Sequence, residues 1–319
     1  MTKQAEPPLP FLSLVVPVYN EEANLEELYS RLTKTLDATG RPFEIILVND
    51  GSKDKTDEIL KDLFKRRPHQ IRVVTFNGNY GQQMAILAGF KVSRGTFAMT
   101  IDADLQNPPE EIPKLITLMD QGHDYVGSFR LKRHDNWFRT YASQLTNWLR
   151  RCATKVPMRD QGCMLRAYHR RIVDTVLSCH EPSLLVAVLA YTFAANPAEV
   201  GVEHRAREGG KSKYTLYKLI RLYFDLFTGF SLVPLQLFTF FGLSISGLSS
   251  LLVAYLLVRR LIVGQEAQGM FTLFAITFFL LSVVITGIGI LGEYVGRIYQ
   301  TVQNRPRYLV KEFLTDIPS

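Results

Sequence analysis

Up to about Leu226 apolar and polar residues mix in short blocks; beyond it they separate into long uncharged stretches. In the mixed part the apolar, β-branched run Phe11–Val16 predicts a first strand. Asn20 predicts a helix start, with Glu21 and Glu22 in a first turn where negative charge suits the helix dipole. Glu44–Val48 predicts a second strand, followed by Asn49-Asp50-Gly51-Ser52 and a charged amphipathic helix to about Arg66. Ile71–Phe76, Phe97–Ile101 and Tyr125–Phe129 predict three more strands, with helices over Gln82–Val92 and Pro109–Asp120 between them. Strands alternating with helices of this length predict an α/β fold, a mostly parallel sheet covered on both faces. Ligands of such sheets bind beyond the carboxyl ends of the strands. Asp50, Asp102, Asp104 and the segment Pro17-Val-Tyr-Asn-Glu21 all fall at such ends.

The uncharged stretches run from Leu226 to Val258 and from Ala267 to Gly292. Each exceeds the ~20 apolar residues that cross a bilayer. Lys211, Lys213, Lys218 and Arg221 precede them and Arg297, Arg305, Arg307 and Lys311 follow, whereas the intervening loop holds Arg259, Arg260 and Glu266. The heavier positive charge on the outer flanks places both ends in the cytoplasm and the loop outside. The N-terminus has no apolar core of a secretory signal, which agrees with that orientation. Tyr214–Phe230 carries apolar residues at helical spacing beside Lys218 and Arg221, and predicts a helix lying in the membrane interface. Trp137–Ala153 is amphipathic too, and suits either a core helix or an interfacial one. Small residues four apart, Gly242, Ser246 and Ser250, then Gly292 and Gly296, suit close helix packing within or between chains. Gly287-Ile-Gly-Ile-Leu-Gly292 matches a dinucleotide-loop pattern but lies inside an apolar span, which excludes that reading.

The predicted segments are residues 1–213, a cytoplasmic globular domain; 214–230, the interfacial helix; 231–258 and 270–292, two membrane spans; 259–269, a periplasmic loop; and 293–319, a cytoplasmic tail. The formal net charge of +7 suits an anionic partner: a membrane surface or a nucleotide diphosphate. No basic run interleaved with aromatics points to nucleic acid. Cys152, Cys163 and Cys179 are odd in number and lack metal spacing, so free thiols in a reducing compartment are expected.

Thr100-Ile-Asp-Ala-Asp-Leu-Gln106 is the most informative stretch for chemistry. Residues i and i+2 of an extended chain point the same way. Asp102, Asp104 and the Gln106 amide oxygen can thus converge on one hard cation, Mg²⁺ or Mn²⁺, which can in turn bridge phosphates. Carboxylates of this kind at a sheet edge, in a chain tied to a bilayer, suggest a soluble activated donor and a lipid acceptor. A nucleotide-sugar fits the donor, with Asp50 accepting from a base N–H. A polyprenyl phosphate fits the acceptor and is already anionic, so cationic positioning by Arg130 and Arg139 matters more than a strong general base.

Val16-Pro-Val-Tyr-Asn-Glu21, Asn49-Asp-Gly-Ser52, Asn79-Tyr-Gly-Gln82, Asp102-Ala-Asp-Leu-Gln-Asn-Pro-Pro109 and Gly210-Lys-Ser-Lys-Tyr214 resemble the family 2, A-type glycosyltransferases acting on polyprenyl phosphates. Asp135-Asn-Trp-Phe-Arg139, Gly162-Cys-Met-Leu-Arg-Ala-Tyr168, Leu291-Gly-Glu-Tyr-Val-Gly-Arg-Ile-Tyr299 and Arg305-Pro-Arg-Tyr308 resemble its bacterial members that transfer 4-deoxy-4-formamido-L-arabinose to undecaprenyl phosphate. The resemblance covers nearly the whole chain. It implies an A-type, Rossmann-like domain and inverting, Mg²⁺- or Mn²⁺-dependent transfer from the UDP-sugar on the cytoplasmic face of the bacterial inner membrane. The lipid-linked product would feed lipid A modification and polymyxin resistance. The same chemistry with UDP-glucose or GDP-mannose is the alternative.

Carried over by position, Pro17, Tyr19, Glu21 and Asp50 resemble uridine contacts, and Asp102, Asp104 and Gln106 the metal and diphosphate site. Arg207 and Lys213 resemble a basic pair closing on donor phosphate, Arg130 and Arg139 the acceptor-phosphate arginines, and Asp160 a catalytic acid. Similar proteins are tetramers, which implies a homo-oligomer. Asn49 replaces the more usual Asp, Lys211 a Glu and Gln161 a Tyr; a changed donor could follow from any of them.

Overall fold

The computed structural model describes residues 9–131, 157–160, 162–179, 185–204, 233–263, 270–303 and 306–316. By contacts the chain divides into two compact units, residues 1–143, 156–212 and 305–319, and residues 144–155 and 213–304.

In the first unit the mainly apolar runs form the middle of a sheet. These are β1 (Leu12–Val18), β2 (Phe43–Asn49) and β3 (Ile71–Phe76), buried at every position. Burial on both faces is what a parallel sheet sandwiched between helices requires. β1 pairs parallel with β2 and with β4 (Phe97–Thr100), and β2 with β3. The sheet continues through β5 (Tyr125–Arg130), β6 (Arg166–His169), β7 (Pro197–Val202) and β8 (Val310–Leu314), in the order β7-β5-β6-β4-β1-β2-β3-β8. β6 is antiparallel to β4 and β5, β8 is antiparallel to β3, and β7 is parallel to β5.

The covering helices follow the predicted spacing. α1 (Leu25–Asp37) buries Leu25, Leu28, Leu32 and Leu36; α2 (Thr56–Arg66) buries Leu60 and Leu63. α3 (Gln82–Val92) is buried almost throughout its length from Ala85 to Phe90. It lies against β1 through Gly89, where a Cβ would come within 2.3 Å of Val15 Cγ1, so a larger residue fits only if Val15 or the helix shifts. A short 3-10 turn, Pro109–Glu111, leads into α4 (Ile112–Asp120), which buries Ile112, Leu115, Ile116 and Met119. α5 (Arg170–Ser178) and α6 (Val186–Phe193) follow β6.

At the amino ends of the strands, away from the candidate site, a charged network is buried. Glu44 is 1% exposed and accepts from Ser13 Oγ (2.6 Å), the Arg94 amide (2.7 Å) and the Arg94 guanidinium (3.1 and 3.2 Å). Arg72 adds a cation 3.7 Å from Glu44 and donates to the Val92 carbonyl.

The structure differs from the sequence expectation in three respects. α1 begins at Leu25, not Asn20. Asn20 adopts a left-handed backbone (φ 54°) and uses its side chain to accept from Lys53 N (2.8 Å), so it ties two loops together instead of capping a helix. β6, β7 and β8 were not expected. β8 turns the expected C-terminal tail into an edge strand of the sheet.

The second unit contains α7 (Val233–Val263) and α8 (Met270–Val302). Many of their apolar side chains are exposed, among them Leu237, Phe240, Leu251, Phe278 and Ile288. Among the described residues one segment, Ile276–Gly296 in α8, is long and apolar enough to cross a bilayer; the qualifying run in α7 is the shorter Leu235–Ile245. The expected pair of spans therefore has one member by this measure. The expected helices Trp137–Ala153 and Tyr214–Phe230 lie outside the described residues.

Candidate active site

Four loops converge beyond the carboxyl ends of β1 to β4. The first, Tyr19–Asn24, is held by the second, Asp50–Lys55. Asn20 N donates to Ser52 Oγ (3.0 Å), Glu21 N to Thr56 Oγ1 (3.1 Å) and Lys55 N to Glu22 (2.9 Å). Pro17 is buried in β1 opposite Val48, while Tyr19 stands 42% exposed at the rim.

Asp50 is 3% exposed. Its Oδ1 accepts from Tyr80 N (2.7 Å) and its Oδ2 from Gly81 N (2.9 Å). Burial raises its pKa, and the two amide hydrogen bonds offset only part of that rise. The carboxylate thus fixes the third loop, Asn77–Gly81; each oxygen keeps a further lone pair for a ligand. Gly51 lets the two loops meet. Its φ is 70°, and a Cβ would lie 2.5 Å from the Gly78 carbonyl carbon and 2.9 Å from Asn79 N. Asn49 accepts from Ser52 N (2.9 Å) and donates to Asp57 (3.2 Å). An aspartate at position 49 would lack that donor and would set a like charge against Asp57.

The fourth loop carries Asp102, Asp104 and Gln106, all half-buried. Asp104 Oδ1 accepts from Gln106 N (3.1 Å), and Leu105 between them has φ 60°. A leucine rarely adopts that left-handed conformation. Gln82, at the start of α3, donates to Asp102. Burial first, then the charge of Asp104, raises the Asp102 pKa to about 7; Glu21 adds to the rise, while Gln82 and Arg166 oppose it. Oxygen donors crowded until one resists ionisation are what a hard cation relieves. Among the described residues no group of three or more His, Cys, Asp or Glu side chains could hold a metal alone. Asp102 and Asp104 fit Mg²⁺ or Mn²⁺, which is commonly bound by one or two carboxylates and completed by substrate phosphates and water.

Arg130 and Asp160 sit at the ends of β5 and of the loop before β6. They are bound to each other: Arg130 Nε donates to Asp160 Oδ2 (2.7 Å) and Nη2 to Oδ1 (3.2 Å). The expected acceptor-phosphate ligand and the expected acid are therefore one bidentate pair, with Asp160 6% exposed. Gly162 N also donates to Asp160 (3.0 Å). Arg139, Arg207 and Lys213 lie outside the described residues.

Two residues given no role in the sequence analysis belong to this edge. Arg166 is completely buried; it donates to the carbonyls of Cys163 (2.7 Å) and Asp160 (2.9 Å) and to the Tyr125 hydroxyl. It pins the loop that presents Asp160. His204, just past β7, lies close enough to Arg130, Asp104 and Asp160 for all three charges to act on its ring. Motif reading could have flagged Arg166, which falls inside Gly162-Cys-Met-Leu-Arg-Ala-Tyr168; His204 carries no such signal. Cys163 is a buried thiol packed on Ser128 and Asn107, its pKa pushed up by burial.

The family model described as Glycosyl transferase family 2 matches residues 13–177. An undecaprenyl-phosphate 4-deoxy-4-formamido-L-arabinose transferase of Edwardsiella ictaluri (strain 93-146) is 45% identical over 303 residues, 94% of this chain and 93% of its own. The protein of the same name from Pectobacterium carotovorum subsp. carotovorum (strain PC1) is 47% identical over 304 residues, 94% of this chain and 93% of its own. A crystal structure of glucosyl-3-phosphoglycerate synthase from Mycobacterium tuberculosis in complex with Mg²⁺ and UDP is 19% identical over 69% of this chain and 78% of that one, with a TM-score of 0.49.

Proposed function

The chain belongs to glycosyl transferase family 2, and from that premise we propose that it transfers 4-deoxy-4-formamido-L-arabinose from a UDP donor to undecaprenyl phosphate at the bacterial inner membrane. The observation that carries this reading is identity of 45% over nearly the whole of both chains, helices of the second unit included.

The reaction is a displacement at the anomeric carbon. An oxygen of the acceptor phosphate forms the new bond, the bond to UDP breaks, and the configuration inverts. The nucleophile is already an anion, so no side chain need remove a proton from it. Pro17, Tyr19, Glu21 and Asp50 form the uridine end; Asp50 also holds the Asn77–Gly81 loop in place. Asp102 and Asp104, with Gln106, would hold Mg²⁺ or Mn²⁺, whose charge neutralises the departing diphosphate. Arg130, oriented by Asp160, offers its charge to the acceptor phosphate, and Arg139 serves the same anion. Arg207 and Lys213 hold donor phosphate.

The membrane arrangement is part of the proposal: interfacial helix 214–230, spans 231–258 and 270–292, a periplasmic loop 259–269, and both termini cytoplasmic. Connectivity supports two spans. β7 precedes the apolar helices, β8 follows them, and both are strands of one sheet. The intervening chain must then cross an even number of times, so a crossing by α8 requires a second, and α7 supplies it. Assembly as a homo-oligomer, a tetramer, belongs to the same reading, as does a role in lipid A modification and polymyxin resistance.

The test is transfer by the purified chain in detergent with Mg²⁺ or Mn²⁺ and undecaprenyl phosphate, offering UDP- and GDP-sugars one at a time. UDP release and a lipid product only with the formamido-arabinose donor support the proposal. Turnover with UDP-glucose or GDP-mannose instead assigns a different sugar to the same site.

A further inference from the structure

β7 runs parallel to β5 with Val202 opposite Arg130, and two residues further on the chain brings His204 to the same carboxyl edge. His204 is half-buried, and its Nδ1 is one of two buried side-chain nitrogens without a hydrogen-bond partner among the described residues. The other, Arg72 Nε, belongs to the Glu44 network at the opposite ends of the strands. A buried polar atom without a partner is destabilising, and that cost disappears if a ligand supplies the partner.

The surroundings of the ring indicate which ligand. The charged groups acting on it are Arg130 from β5, Asp104 from the loop after β4 and Asp160 from the loop before β6. Burial and then Arg130 hold the imidazole below its usual titration range, and the influence of Arg130 exceeds that of either acid taken singly. The ring is therefore neutral near pH 7, with one N–H to donate. That N–H and the Arg130 guanidinium, on neighbouring strand ends, are donors suited to an anion.

We propose that His204 Nδ1 donates a hydrogen bond to a phosphate oxygen of a substrate bound beside Arg130, which makes it a further substrate-binding residue. This rests on the transferase reading, whose substrates offer two such phosphates: the donor diphosphate and the acceptor lipid phosphate. Both present the same oxygen, and binding experiments separate them.

The test uses the full chain in detergent and its variants His204→Asn, His204→Gln and His204→Ala. An asparagine amide nitrogen takes up the place of Nδ1, whereas a glutamine reaches the place of Nε2. Kd is measured without turnover, for UDP and for undecaprenyl phosphate separately. The expected result is a rise of about tenfold in one of the two values for Ala and Gln, with Asn within about threefold of the unchanged chain. The ligand affected identifies the phosphate. Unchanged values for both ligands in His204→Ala, or equal losses in Asn and Gln, overturn the assignment. Melting temperatures of the three variants show that each is folded. An unchanged chain that binds neither UDP nor undecaprenyl phosphate overturns the transferase reading itself, and this proposal with it.

Discussion

Replacing Asp102 by asparagine isolates the electrostatics of the acid pair. In the folded chain burial and the charge of Asp104 push the Asp102 pKa from the ordinary 3.8 up to about 7. The folded state therefore holds this proton more tightly than the unfolded state. Stability falls as pH rises from about 4 to about 7 and is level above that. The rise is about three units, of which about two lie above pH 5; at about 1.36 kcal/mol per unit, the loss between pH 5 and 7.5 is roughly 2–3 kcal/mol. His204, whose pKa is lowered, works in the opposite direction below pH 6.5, so the comparison must be with a variant that keeps it. Denaturant unfolding of the detergent-purified chain with EDTA, from pH 5 to 7.5, gives the two curves. The unchanged chain should lose about 2–3 kcal/mol relative to Asp102→Asn over that range. Mn²⁺ at about a hundred times its Kd should add roughly 2.7 kcal/mol to the unchanged chain at pH 7.5, and much less to the variant. Parallel curves with EDTA, or equal stabilisation of both by Mn²⁺, would refute the reasoning.

Three other perturbations follow from the geometry. Asp104→Ala should cut transfer by at least about a hundredfold while the protein stays folded and membrane-bound; near-normal turnover removes the cation role from the pair. Gly51→Ala forces a side chain into the Gly78–Asn79 backbone at a positive φ, and should cost at least about 1–2 kcal/mol and weaken UDP binding through Asp50. A melting temperature and a UDP Kd both unchanged would show that the loops have room. Glu44→Gln leaves Arg72 and Arg94 without their buried counter-charge and should lower unfolding free energy by about 3–5 kcal/mol with little effect on the KM values; an equally stable variant would mean that the network is not electrostatically maintained.

The central sheet was legible because its strands are buried on both faces and their apolar runs have no competing period. β6 was not, since it is a four-residue strand with a buried arginine whose cost is met by carbonyls of the preceding loop and by the Tyr125 phenol, 41 residues away. β7 reads Pro-Ala-Glu-Val-Gly-Val: Ala198, Val200 and Val202 alternate, but the run is short and broken by Pro197 and Gly201, which weaken a strand signal. β8 lies on an edge, half exposed, and its partner β3 is far away in the chain. Within the site, Asp50, Asp102 and Asp104 were legible from their place after strands. What they touch was not: Asp50 bonds the backbone of a loop 30 residues on, and the Arg130–Asp160 pair joins groups the sequence reading had given separate tasks. Asn20 misled because asparagine suits both a helix cap and a left-handed turn, and only the position of Lys53 decides between them.

The most direct test of the central claim is a competition. The purified chain in detergent receives undecaprenyl phosphate, Mn²⁺ and an equimolar mixture of UDP-4-deoxy-4-formamido-L-arabinose, UDP-glucose and GDP-mannose, and the mass of the lipid product is read at early times. A product bearing the formamido-pentose almost alone is the predicted result. A hexose-bearing lipid, or no sugar-bearing lipid at all, would contradict it.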